Sequence, residues 1–318
     1  MRLIRDTIKK SLGFTVKSFP NIIRRKLING LTIFVYHEIS DSPSSFAKQY
    51  GLAVSKAAFL KQIQWIKSTY TIIHPKDLVS LSSIPEHAAI ISFDDGFLGS
   101  FDNGLSILED LNVPSILFVN MYAILENRPI ISAVACFLSK YAPEFLEFSK
   151  EVNLEPPFHL TLTPALLDLY QSNYGLIDEE SILEYQGKFA DLNTLKKWDN
   201  KKLVSYGNHL YNHWNAVALN IDEIESQYKR NEEALSQFKS SLNLFAFTNG
   251  QPGSCFSERD VEVIENLGAR KIFSASGRVN RDTANFLLHR MSLYERDTDE
   301  SYIWFQLGRA MLKDILHK

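Results

Sequence analysis

Cysteine is almost missing from this 318-residue chain, and the two that occur, Cys136 and Cys255, stand far apart with no CxxC partner. That spacing excludes a cysteine zinc cluster and a disulfide scaffold, and it fits a reducing, cytoplasmic compartment. Long apolar runs are missing as well. Stretches such as "LTIFVY" at 31–36 fall far short of the roughly 18 residues that a spanning helix needs. No membrane span is expected. A strong overall charge is also lacking, with a net −3, but that small number hides an uneven distribution. The first 30 residues hold eight Lys and Arg (Arg2, Arg5, Lys9, Lys10, Lys17, Arg24, Arg25, Lys26) against Asp6 alone. Their balance is +7, which leaves 26 basic and 36 acidic residues, or −10, for the remainder. A body this acidic repels phosphates, so nucleic acid is not an expected partner.

The basic segment 1–30 interleaves its charges with Leu3, Ile4, Ile8, Leu12, Phe19, Ile22, Ile23 and Leu27. Two readings follow: amphipathic helices lying on an anionic membrane surface, or a terminal helix packed on the main domain. Charges interrupt every apolar core that a cleavable signal would need, so none is expected. Together these features suggest a cytoplasmic protein, peripheral on the inner face of a membrane.

From residue 31 to 318 the pattern changes. Short runs rich in β-branched and aromatic residues predict strands at 31–37, 88–93, 115–120, 203–209, 244–248, 271–276 and 286–290. Helical spacing lies between and after them, at 56–69, 105–111, 222–242, 258–267 and 301–316. Strands apolar on both faces and alternating with helices predict an α/β fold, either a barrel or a doubly wound sheet. Residues 127–190 break the rhythm with Pro129, Pro143, Pro156, Pro157 and Pro164 among helical pieces. They read as a mostly helical insertion over one end of the sheet, in the place of a lid.

Polar residues gather where the strand runs end. "SFDDG" sets Asp94 and Asp95 after "AAII", "GNHLYNH" follows "LVSY", "TNGQPG" follows "LFAF", and His37 and His289 end two further runs. In parallel α/β folds the carboxyl ends of the strands share one rim, where active sites are built. His209 and His213 are four apart, so a helix starting after Gly207 would face both imidazoles one way, the spacing metal ligation uses. Taken alone, HxxxH also suits ordinary surface or core histidines, and "DDG" also suits a tight turn. Successive side chains leaving a strand diverge, however, so one aspartate can bind a metal while its neighbour takes a proton. Gly96 would let the backbone approach closely. Two imidazoles and one carboxylate leave a coordination position for water, as catalytic zinc requires.

These motifs, with the Tyr36-His37 pair ending the first strand run, resemble the polysaccharide deacetylases, metal-dependent carbohydrate esterases with a distorted, TIM-like (β/α)7 barrel. The resemblance implies Asp95, His209 and His213 as ligands of a divalent ion, most readily zinc, and Asp94 as the catalytic base. It also implies the backbone N–H of Asn249 as an oxyanion donor and His289, in "LLH", as general acid. The chain departs from the family where Ala246 and Thr248 replace an arginine that steadies the base and a proline. Arg290 is the residue placed to supply that charge from a later strand, or to form a plain surface ion pair. His37, Trp214 and Arg290 are candidate substrate contacts, while His74, His87, His159 and His317 are left as structural.

The activity implied is removal of N-acetyl groups from an amino sugar of a polysaccharide, oligosaccharide or glycolipid precursor. Alternatives are a deformylase or O-deacetylase using the same site, and a carbohydrate-binding relative without turnover.

Overall fold

Seven runs of β-branched and aromatic residues become the staves of a closed parallel barrel in the computed structural model, which describes residues 2–80 and 83–316. His317 lies outside the described residues. In chain order the strands are β1 (Leu31–Tyr36), the short β2 (Glu38–Ile39), β3 (Ala53–Val54) and β4 (Thr71–Ile72), then β5 (Ala88–Asp95), β6 (Ser115–Val119), β7 (Val204–Asn208), β8 (Ser241–Ala246), β9 (Lys271–Ser274) and β10 (Leu287–Ser292). Neighbours run β1-β10-β9-β8-β7-β6-β5, and β5 pairs back to β1 from Leu31 with Ala88 to Tyr36 with Phe93. That last ladder closes the ring. The minor strand β4 pairs with the first residues of β5, and β2 pairs only with β3. The architecture is the expected distorted (β/α)7 barrel.

Period-two alternation decides what each strand turns inward. Leu31, Ile33, Ala88, Ile90, Ile116, Phe118, Leu244, Ala246, Phe273 and Leu288 form one buried apolar cluster inside the ring. Phe118 occupies the middle because Gly207 makes room for it: a Cβ there would come within 2.6 Å of the Phe118 ring. The outward residues of the same strands, among them Phe34, Tyr36, Ile91, Phe93, Leu117 and Tyr206, pack against the helix Lys56–Thr69 and its neighbours. Burying each such side chain contributes roughly 1.5–3 kcal/mol, which is how the sheet holds its helical coat.

Two expectations are adjusted and a third holds. The helix expected over 222–242 runs only from Ile221 to Leu235, because the chain must turn before β8 begins at Ser241. The helix expected over 105–111 is preceded by a π-helical turn, Ser100–Leu105, and is itself Ser106–Asp110. The segment 127–190, between β6 and β7, is helical as read, with helices Ile131–Tyr141, Pro143–Glu151, Phe158–Thr161, Pro164–Tyr174 and Glu179–Gln186. Proline begins two of them, at the position where its missing N–H costs nothing.

Of the two readings of the basic segment, packing on the main domain is the one the structure describes. Its first helix, Arg2–Lys17, packs on the last, Glu300–Leu316. They cross closely at Gly13, where a Cβ would fall 1.6 Å from the Ser301 carbonyl oxygen. Lys10 pairs with Asp299 at 2.7 Å and Lys17 with Glu300 at 3.1 Å. The outer side nevertheless leaves Ile8, Leu12, Phe14 and Ile22 each more than half exposed. No described helix is long and apolar enough to cross a membrane.

Candidate active site

Asp94 and Asp95 end β5 on the carboxyl rim. Alternation puts Asp94 on the same inward face as Ile90, and Asp95 escapes the outward face because its φ of 72° bends the chain. Leu210 (φ 59°), His213 (φ 55°) and Asn249 (φ 58°) share this left-handed conformation. Such backbone is uncommon for residues with a Cβ and persists where surrounding structure imposes it. Gly96 (φ 104°) follows Asp95; an added Cβ would make only ordinary contacts, the nearest at 3.4 Å. Its dihedral, rather than the close approach expected, explains the glycine.

The three predicted ligands converge. One ligand atom each from Asp95, His209 and His213 lies within 4.8 Å of the others, and all three residues are buried. Asp95 Oδ1 stands 3.4 Å from His209 Nε2 and 3.0 Å from His213 Nε2. The pairing does not come from a helix, as the HxxxH spacing suggested; the residues after β7 form a loop. Buried asparagines hold that loop. Asn208 Oδ1 accepts from the Leu210 N–H at 3.0 Å and from Asn231 Nδ2 at 2.9 Å, while Asn120 Nδ2 donates to the carbonyls of His209 and Leu210.

The donor set fits a cation. His209 Nδ1 lies 2.8 Å from the Ala246 carbonyl, which can only accept, so that nitrogen carries the ring proton and a neutral ring presents a lone pair at Nε2. His213 Nδ1 is fixed in turn by Ser132 Oγ at 2.7 Å. Asp95 Oδ1 is buried with no hydrogen-bond partner. A carboxylate oxygen facing an imidazole lone pair repels it unless positive charge lies between them, and a divalent ion satisfies all three donors at once.

Arg290 answers the question raised by Ala246. Its guanidinium, 1% exposed, holds Asp94 through two parallel bonds, Nη1 to Oδ1 at 2.6 Å and Nη2 to Oδ2 at 2.8 Å. It also lies 5.3 Å over the Phe118 ring, at the top of the apolar barrel filling. Burial works to raise the Asp94 pKa, but the charge of Arg290 and its two hydrogen bonds outweigh it and leave the carboxyl below its usual range. Arg290 is thus neither a surface ion pair nor a side chain open to substrate.

A cavity of about 270 Å³ opens over these groups, lined among others by His37, Asp94, Asp95, His209, His213 and Asn249. Two expectations are corrected here. His289 neighbours Arg290 on β10, and since Arg290 points into the barrel, alternation sends His289 outward. There it contacts Ser274 Oγ at 2.9 Å and feels the charges of Arg278, Lys313 and Asp314, far from the role of acid in the cleft. Trp214 is buried in the core with Phe247 and Phe256 and does not line the cavity. Conversely, His159, read as structural, lines it together with Tyr50, Ser132 and Cys136. Ser132, Cys136 and His159 come from the helical insertion, whose place over the cleft no local pattern reveals.

No family model and no curated protein matches the chain. Solved structures do. IcaB from Ammonifex degensii superposes with a TM-score of 0.57 at 15% identity, covering 87% of this chain and 97% of that one. The Streptococcus pyogenes deacetylase PplD, solved with acetate, gives 0.56 at 13%, covering 87% and 98%. A de-N-acetylase from Aggregatibacter actinomycetemcomitans gives 0.56 at 16%, covering 86% and 99%. The chain therefore has the fold of these three solved structures over nearly their whole length.

Proposed function

We propose that the protein is a metal-dependent hydrolase that removes the N-acetyl group from an amino sugar of a glycan or glycolipid precursor. The observation that carries this reading is the convergence of Asp95, His209 and His213 beside an aspartate locked by Arg290. A divalent ion held by those three residues, most readily zinc, would supply Lewis acidity for the amide carbonyl and acidify water in the cleft. Asp94, kept ionised by Arg290, is the base that takes the proton of the attacking water. Arg290 fixes both its oxygens, so the carboxylate cannot rotate away. The backbone N–H of Asn249, on the cavity wall, donates to the tetrahedral oxyanion; one such donor contributes about 3–4 kcal/mol. With His289 on the outside of the barrel, the proton gained by Asp94 passes on to the leaving nitrogen, and a single carboxylate serves both steps. His37, half-buried at the rim and with its pKa lowered by burial, faces substrate as a neutral ring.

The test is product analysis on a panel of N-acylated and O-acetylated amino sugars. Acetate released from N-acetyl sugars, abolished by a chelator and restored by a divalent ion, is the expected result. Formate, or acetate only from esters, would move the reading to a deformylase or O-deacetylase. Ala246, in place of the family's arginine, would favour a binding protein without turnover, but Arg290 supplies the charge missing there. Glycan affinity with no acyl release, unchanged in Asp94→Asn, would revive it.

For location, the exposed Ile8, Leu12, Phe14 and Ile22 among basic residues support peripheral contact with an anionic membrane. The free, buried thiols of Cys136 and Cys255 support the cytoplasmic side. If protein lacking residues 1–30 partitions onto anionic vesicles as well as the full chain does, the membrane reading is wrong.

A further inference from the structure

We propose that a second cavity beside the cleft is a subsite for a phosphate group carried by the amino-sugar substrate. The proposal rests on the sugar reading above. This cavity, of about 200 Å³, shares Gln251, Ala275, Ser292 and Tyr294 with the catalytic cleft, so one ligand can span both. Its wall brings together Lys9, Arg296, Arg309 and Lys313. They come from three separate segments: the N-terminal helix, the turn Glu295–Thr298 that follows β10, and the C-terminal helix. One acid, Asp297, stands among them. Its Oδ2 accepts from the Tyr294 N–H at 2.8 Å and Gln306 Nε2 at 3.0 Å, and its Oδ1 lies 3.9 Å from Arg296 Nε.

Arg296 thus faces the buried Asp297, and that single carboxylate does not balance the remaining cations of the wall. Arg309 and Lys313 are one helical turn apart, a spacing at which like charges destabilise a helix. The crowding is visible in Lys313, whose pKa is lowered first by burial and then by the charges of Arg309 and Arg278, with Asp314 opposing. Its Nζ donates to the Ser276 carbonyl at 2.6 Å, which holds the ammonium at the cavity wall. An anion seated there relieves the repulsion through charge-assisted hydrogen bonds. Four cations against one carboxylate suit a group bearing more than one negative charge, which favours a phosphate ester over a sugar carboxylate. The chemistry is shared by a soluble sugar phosphate and a lipid-linked one.

Two measurements on the full chain test the subsite. Calorimetric titration with inorganic phosphate should give an affinity that Arg309→Gln and Lys9→Gln each weaken by about tenfold, the order of one charge-assisted contact. Neither side chain belongs to the barrel core, so folding is preserved. Affinity unmoved by both variants, or no binding at all, overturns the proposal. The second measurement compares kcat/KM for a neutral N-acetylated amino sugar, its 1-phosphate, and the same phosphate esterified to a long isoprenoid alcohol in vesicles. A preference for either phosphorylated form that falls in Arg309→Gln supports the subsite, and which form is preferred identifies the source. Equal kcat/KM for neutral and phosphorylated sugars, or a preference that Arg309→Gln leaves intact, overturns it. If no sugar is deacylated while phosphate binding still falls in the variants, the deacetylase reading fails and the anion subsite stands.

Discussion

The lower and upper halves of the barrel interior are made by the same strands and have opposite characters. On β5 the inward residues run from Ala88 and Ile90 to Ser92 and Asp94, and on β10 from Leu288 to Arg290. The lower half closes as a plug of Ile33, Ile90, Ile116 and Phe118, fully or almost fully buried. The upper half buries a carboxylate and a guanidinium just as deeply. What differs is the means of stabilisation. An apolar layer gains from leaving water, whereas a buried charge costs several kcal/mol unless a partner meets it in good geometry. Arg290 belongs to both halves, stacked on Phe118 below and paired with Asp94 above. Alternation selects which residues face inward, while height along the strand decides whether they meet apolar or charged neighbours.

The largest effect is expected where the two halves meet. Arg290→Met leaves Asp94 buried without its partner and should cost about 3–5 kcal/mol of stability, together with a loss of turnover of about 10²-fold or more as the base pKa rises. Denaturant titration and acetate release measure the two. Asp94→Asn combined with Arg290→Met should recover stability but not turnover; recovery of neither would mean that the pair is not what holds this layer. Ile90→Ala probes the lower half alone. It should lose about 2–5 kcal/mol in the same titration, with kcat per folded molecule changed only slightly, and a large fall in kcat would erase the distinction between the halves. Ser132→Ala, the smallest change, removes only the support for His213 Nδ1. Metal affinity, measured by competition with a chelating dye, should fall about 10- to 100-fold with no measurable loss of stability. Unchanged affinity would show that the loop alone orients the ring.

Much of the scaffold was legible because strands buried on both faces need continuous apolar runs, and all seven staves announce themselves in that way. The Asp95, His209 and His213 cluster was legible because its residues stand at the ends of those runs. His289 shows the limit of motif reading: "LLH" marks it as a site residue, yet the alternation that turns Leu288 and Arg290 inward already sends it out. Trp214 shows another limit, since an aromatic beside a ligand suits a cleft wall and a core equally well. Ser132, Asn120 and Asn231 carry no signal, because each acts on a loop distant in the chain.

By itself the sequence determined the barrel's strands, the helical insertion, the basic amphipathic start and the residues that can bind a metal, since these follow from local periodicity and side-chain chemistry. Only the tertiary structure decided that Arg290 reaches Asp94 from across the ring, that Ser132 supports His213, and that cations from both ends of the chain share one cavity. Those contacts depend on how strands close and helices cross, and closure is a property of the whole chain that no short window contains.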